Sequence, residues 1–141
     1  MSEWKGKKIK DFAYTASGGT PSTERKDFWH GGDIPWINSG ELSQHDFITK
    51  PTAYITQLAL ENSSAKIFPI GTVVIALTGA TTGMAALLEI ATSTNQSITG
   101  IFPSKEHDSK FLLYLLHHNI EKILINNVGS AQPHINLIVM P

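Results

Sequence analysis

A chain of 141 residues, 41% apolar and 16% charged, suits one globular domain with a sizeable core, and its net charge of −1 supplies no general affinity for nucleic acid. With no cysteine, disulfides and cysteine-ligated zinc are excluded. The N-terminal Met1-Ser2-Glu3-Trp4-Lys5 lacks a signal-peptide core and no apolar stretch reaches the roughly 18 residues of a membrane span, so a cytoplasmic protein without membrane contact is expected.

In chain order, Lys5, Lys7, Lys8 and Lys10 come first, and a strand would place alternate members on one face. Residues 1–26 carry six basic side chains against three acidic ones, a net of +3. Residues 27–61 carry only Lys50 against five acids, a net of −4, which could divide the surface between DNA and a basic partner, or be solvated throughout. Residues 14–33 hold Gly18, Gly19, Pro21, Gly31 and Gly32 and read as a long structured loop, a kind that is usually functional inside a compact domain. Ile34-Pro35-Trp36-Ile37-Asn38 reads as a short edge strand, because proline cannot donate to a ladder. Thr56 can cap a short helix over 57–62.

Strands are expected at about 72–78, 85–91 and 97–102. Between the first two stands Gly79-Ala80-Thr81-Thr82-Gly83. Its glycines allow positive φ and close backbone approach, and its threonines offer short, stiff hydroxyls. Such a loop suits a polar partner such as nucleic acid; a plain tight hairpin fits the same residues. Asp108 or Ser109 can cap a helix over 109–126, with Phe111, Leu112, Leu115, Leu116, Ile120, Ile123 and Leu124 as its core face. Asn126, Asn127 and Gly129 end it, and 135–139 form a last strand. The expected architecture is a single compact α+β domain with a mixed or antiparallel sheet and one long amphipathic helix at about 109–126.

No catalytic constellation stands out. His117 and His118 are adjacent on a helix, roughly 100° apart, and cannot share a metal. The Gly79 loop lacks the Gly-Lys-Ser/Thr of a phosphate-binding P-loop, and there is no Gly-x-Ser-x-Gly nucleophile elbow.

An ordered set of short motifs is more specific. Ser17-Gly18-Gly19-Thr20-Pro21-Ser22 is followed by Trp29-His30-Gly31-Gly32-Asp33-Ile34-Pro35-Trp36, then by Gly40-Glu41-Leu42, Ser63-Ser64-Ala65-Lys66 and Pro69-Ile70-Gly71-Thr72-Val73. After the Gly79 loop stand Thr94-Asn95-Gln96 and Ala131-Gln132-Pro133-His134-Ile135. From Trp4 to about Leu137 this series resembles a target recognition domain of the DNA specificity subunit of type I restriction-modification systems. The resemblance implies reading one half of a bipartite target in double-stranded DNA. It implies no catalysis and no cofactor in this chain: modification subunits bind S-adenosylmethionine and methylate adenine, and restriction subunits join through them. It also implies a following spacer helix and a second recognition domain, which this chain would lack. The rival readings are a recognition domain of a fused methyltransferase-endonuclease and an assembly module that docks modification subunits without reading bases.

Candidate DNA contacts follow from side-chain chemistry. Lys8, Lys10 and Lys26 act as point charges suited to phosphates, whereas Arg25, the sole arginine, has the planar fork that reads guanine. Asn38, Gln44, Gln96 and Gln132 can pair with adenine if they reach the major groove. Thr20, Ser22, Thr81 and Thr82 offer hydroxyls, Gly79 and Gly83 close backbone approach, and Tyr54 an exposed ring. Trp4, Trp29 and Trp36 are expected to pack rather than stack on bases. Two departures from the family pattern matter: Met84 stands where lysine is frequent, and His134 replaces the asparagine usual after Gln-Pro. Residues that select one sequence should lie where the pattern is loose, in 22–26, 43–54 and the tip of the Gly79 loop.

Overall fold

The apolar run Val73-Val74-Ile75-Ala76 is buried at all four positions, as a strand covered on both faces must be. It lies at the centre of a computed structural model that describes residues 5–119 and 136–139, with side chains for residue 9 and residues 11–119. Among the described residues the elements are β1 (Lys5–Lys8), β2 (Thr15–Ser17), α1 (Lys26–Trp29), β3 (Ile34–Ile37), β4 (Phe47–Ile48), β5 (Ala53–Ile55), α2 (Gln57–Glu61), β6 (Val73–Ala76), β7 (Ala85–Leu88), β8 (Ser93–Thr94), β9 (Ile98–Ile101), α3 (Ser109–His118) and β10 (Asn136–Val139). Short 3-10 turns cover Ile9–Asp11 and Ser39–Ser43.

The strands form a five-stranded sheet in the order β2-β9-β6-β7-β4, a three-stranded sheet β5-β3-β8 and a pair β1-β10. Both larger sheets are mixed, through the parallel pairs β4·β7 and β3·β8. This is an α+β fold, as the alternation of short apolar runs with one long helical pattern implies.

Side-chain alternation divides the core. Val73, Ile75, Ala85, Leu87 and Ile101 face one way and pack with Ile9, Phe12 and the buried face of α3. Val74, Ala76, Ala86, Leu88 and Ile98 face the other way and meet Ile37, Leu42, Ile48 and Phe68. A third cluster of Phe28, Trp36, Ile55, Ala59 and Ala65 ties α1 and α2 to the three-stranded sheet.

Local signals place the helices. The Thr56 hydroxyl accepts from Ala59 N at 3.2 Å and caps α2, and Asp108 Oδ1 accepts from Phe111 N at 2.8 Å and caps α3. The described part of α3 ends with Asn119 as its C-cap; the expected continuation over 120–126 lies outside the described residues. The core face of α3 is Leu112, Leu113 and Leu116. Phe111, expected to be buried, is 48% exposed, whereas Leu113, off the expected face, is buried against β6 and β7.

Two other expectations need correction. β3 is a central strand, between β5 and β8. Pro35 is tolerated there because the β8 ladder begins only at Trp36↔Ser93, and Pro35 contributes its carbonyl, which accepts from Ser93 Oγ at 2.7 Å. Lys10 belongs to the 3-10 turn after β1, so it does not continue the strand face of Lys8.

Candidate functional site

Four polar segments leave the same end of the sheets, although they lie far apart in sequence. Strand pairing imposes this. Ser17 pairs Thr99, Ala76 pairs Ile98 and Ile37 pairs Thr94, so β2, β6, β3 and β8 finish where β9 starts. The chain beyond those ends carries Gly18-Gly19-Thr20, the loop from Leu77 to Met84, Asn38-Ser39 and Asn95-Gln96-Ser97. Backbone bonds lock them together. Gly18 N donates to Ile98 O and Gly19 N to Thr94 O, both at 2.9 Å. Asn95 N donates to Ile37 O at 3.1 Å, and Leu77 N to Ser97 O at 2.9 Å. Side chains add Asn95 Nδ2 to Ser39 Oγ at 3.2 Å and the Thr20 hydroxyl donating to Gln96 Oε1. Gln44 precedes β4, which runs parallel to β7 from the same end.

Thr20, Asn38, Gln96 and the Gly79 loop are thus brought together, but several of their groups are already engaged. Asn38 Oδ1 accepts from Gly40 N at 2.9 Å and caps the 3-10 turn, so the side chain is oriented by the turn and its amide nitrogen is the group left for a ligand to accept from. Gly79 and Gly83 take φ of +84° and +91°, the left-handed geometry expected of them. Gly83 N closes the loop on Ala76 O at 2.7 Å, and the Thr82 hydroxyl donates to Gly79 O at 2.5 Å. Thr82 therefore holds the turn, and Thr81 is its partner-free hydroxyl among the described residues. Met84 is 42% exposed at the foot of the loop.

A second cluster lies along 20–36. Trp29 and Trp36 meet edge to face at 5.1 Å. Their indole N–H groups donate to Ser22 O at 3.0 Å and Gly19 O at 3.3 Å. Both tryptophans act in packing, as expected, and with Thr20, Thr23, Lys26 and His30 they line an open cleft of about 580 Å³. Ser22 and Lys26 are exposed beside it. Arg25 donates from Nε and Nη2 to both carboxylate oxygens of Asp27, at 2.9 and 2.7 Å. The hydrogen bonds hold the Asp27 carboxyl below, and the Arg25 guanidinium above, their ordinary pKa values. Tyr54 is 48% exposed on β5, the outer strand of the small sheet, where it pairs with Pro35.

Some residues that position the site carried only a motif-level signal. Lys66 Nζ donates to Ser17 O at 3.0 Å and staples the start of the Gly18 segment. Asn95 Oδ1 is buried with no hydrogen-bond partner among the described residues. The side chains of Lys8 and Lys10, and Gln132 altogether, lie outside the described residues. Among the described residues, no group of three or more His, Cys, Asp or Glu stands close enough to hold a metal ion, and no helix is long and apolar enough to cross a membrane.

Comparison with known proteins gives this geometry its context. The family model of the type I restriction modification DNA specificity domain matches residues 1–140. The type I restriction enzyme MjaIX specificity subunit of Methanocaldococcus jannaschii is 38% identical over 137 residues, covering 94% of this chain and 31% of that protein. The HindI specificity subunit of Haemophilus influenzae is 28% identical, covering 95% of this chain and 29% of that protein. The chain therefore spans about 30% of the length of these relatives. The crystal structure of the HsdS subunit from Thermoanaerobacter tengcongensis shares the fold, with a TM-score of 0.70 at 18% identity over 98% of this chain and 33% of that one. Fold, motif order and family match agree: the chain belongs to the type I restriction modification DNA specificity domain family.

Proposed function

We propose that this domain reads one half of a split target in duplex DNA and directs an adenine methyltransferase, and through it a restriction subunit, to that site. The observation that carries the reading is the convergence of Thr20, Asn38, Gln96 and the Gly79–Gly83 loop at one sheet end. Hydroxyls, amides and an open backbone turn are the groups that contact phosphates and base edges, and strand pairing makes them rigid. Gln44 extends the surface, with Ser22, Arg25 and Lys26 flanking it beside Thr20. Lys8, Lys10, Tyr54 and Gln132 are proposed as outer contacts. The reaction chemistry belongs to partner modification subunits carrying S-adenosylmethionine, and this chain supplies selection alone.

With a net charge of −1, the domain by itself should bind DNA weakly, since phosphate neutralisation supplies most non-specific affinity. The test measures binding of the full chain to duplex DNA, alone and mixed with type I modification subunits, for wild type, Thr20→Ala, Gln96→Ala and Thr81→Ala. Sequence selection that appears in the mixture and is relaxed by these changes supports the reading. A mixture that assembles, and selects the same sequences in all four proteins, assigns this sheet end to assembly instead.

A further inference from the structure

The only arginine of the chain is held on one edge and left open on another. Arg25 Nε and Nη2 donate to Asp27, closing the side edge of the guanidinium fork. Its Cζ lies 4.2 Å from the centroid of the Phe28 ring, and Phe28 is itself 4% exposed in the core that ties α1 to the small sheet. These two contacts, with Asp27 and the Phe28 ring, bias the guanidinium toward one plane and direction. An isolated arginine would have to give up that rotamer freedom on binding.

What remains is the end edge. Nη1 and the second hydrogen of Nη2 face away from Asp27, on a side chain that is 53% exposed. Two parallel N–H donors on one edge match the adjacent O6 and N7 acceptors of guanine in the major groove. The ion pair adds little to stability, because both partners are solvated. It does alter what the arginine prefers. The pair carries no net charge, so a phosphate gains little from it, whereas the geometric match to guanine is untouched.

We propose that Asp27 is a positioning residue that presets Arg25 to read one guanine of the target. This rests on the DNA-reading function above and deepens it, assigning a specificity role to an acidic side chain that would otherwise oppose DNA binding.

The test enriches sequences from a randomised duplex DNA library with the full chain mixed with type I modification subunits. Affinity is then measured for the enriched duplex and for its single-base substitutions. Wild type should enrich a motif containing a guanine that Arg25→Ala, Arg25→Lys and Asp27→Ala each cease to prefer. The loss should be about 5- to 100-fold at that one position, with the others retained. Adding Asp27→Ala to Arg25→Ala should cause no further loss of preference. Total affinity should separate the two roles: Asp27→Ala, which removes a negative charge, should bind all duplexes at least as tightly as wild type, whereas Arg25→Ala should not. Both residues are exposed, so unchanged melting temperatures are expected. If Asp27→Ala keeps the full guanine preference, or weakens every position equally, the positioning role is overturned. If wild type enriches no sequence, the DNA-reading function falls, and this inference with it.

Discussion

Replacing Gly18 with alanine should separate the convergent sheet end from within. Gly18 is buried, and a Cβ there would fall 2.7 Å from Thr94 O and closer still to Thr94 Oγ1 and Asn95 O. Those atoms have no room to retreat. Thr94 is paired to Ile37 across β3 and β8, and Asn95 N donates to Ile37 O at 3.1 Å. The added methyl must therefore push the Gly18 segment off, straining the 2.9 Å bonds from Gly18 N to Ile98 O and from Gly19 N to Thr94 O. Overpacking of this kind costs about 1–3 kcal/mol, and each lost backbone bond about 1 kcal/mol. A total near 3 kcal/mol would lower the melting temperature by about 10 °C in a domain of this size. Scanning calorimetry measures the shift, and anisotropy with duplex DNA in the presence of modification subunits should show weakened selection. Gly79→Ala is the control, because nothing among the described residues lies within 4 Å of a Cβ there and only its φ of +84° is strained, at about 1 kcal/mol. A Gly18→Ala protein melting within roughly 2 °C of wild type would refute the argument that the junction is closed.

Thr82→Ala should destabilise the Gly79 loop by about 1 kcal/mol, since its hydroxyl closes the turn on Gly79 O, whereas Thr81→Ala should leave melting unchanged and alter only DNA selection. Equal thermal effects of the two changes would contradict this. Asp108→Ala removes the cap of α3 and should cost about 1 kcal/mol at neutral pH, read as a lower urea midpoint with the slope unchanged. His107 should make stability pH-dependent. Ser104 Oγ donates to Phe12 O, so His107 Nδ1 donates to Ser104, and Nε2 is left buried without a partner among the described residues. Burial outweighs the nearby Asp108 and holds the imidazole pKa below its ordinary 6.5. The neutral ring is therefore favoured in the folded state, and its contribution is complete above the unfolded pKa and declines as pH falls through the folded one. His107→Gln should flatten the part of the melting profile below about pH 6.5; a slope identical to wild type would remove His107 as its source.

Much of the fold is local in origin and could be read before any contact was known. Thr56 and Asp108 are caps whose acceptors sit three residues before the donors they serve, so one short window specifies each helix start. The strands at 73–76, 85–88 and 98–101 follow from apolar runs broken by glycine, asparagine and threonine, and the positive φ of Gly79 and Gly83 follows from loop chemistry. The family, too, was legible, since it rests on the order of short motifs.

What depended on tertiary structure is what relates distant segments. The spacing in α3 put Phe111 on the core face and left Leu113 off it, and only packing against β6 and β7 made Leu112, Leu113 and Leu116 the buried positions. Proline suggested an edge strand at 34–37, yet the point where the β8 ladder begins made that strand central. Asn38 and Gln96, read separately as adenine-pairing amides, leave the same sheet end because β3 runs parallel to β8, a pairing that no local pattern encodes. The fold also decides which hydrogen-bonding groups remain for a ligand: among the described residues it engages Asn38 Oδ1, the Thr82 hydroxyl and one edge of Arg25, and leaves the Thr81 hydroxyl and the other edge of Arg25 open. Side-chain type is a property of the chain, but the availability of a donor depends on which acceptors folding has brought beside it.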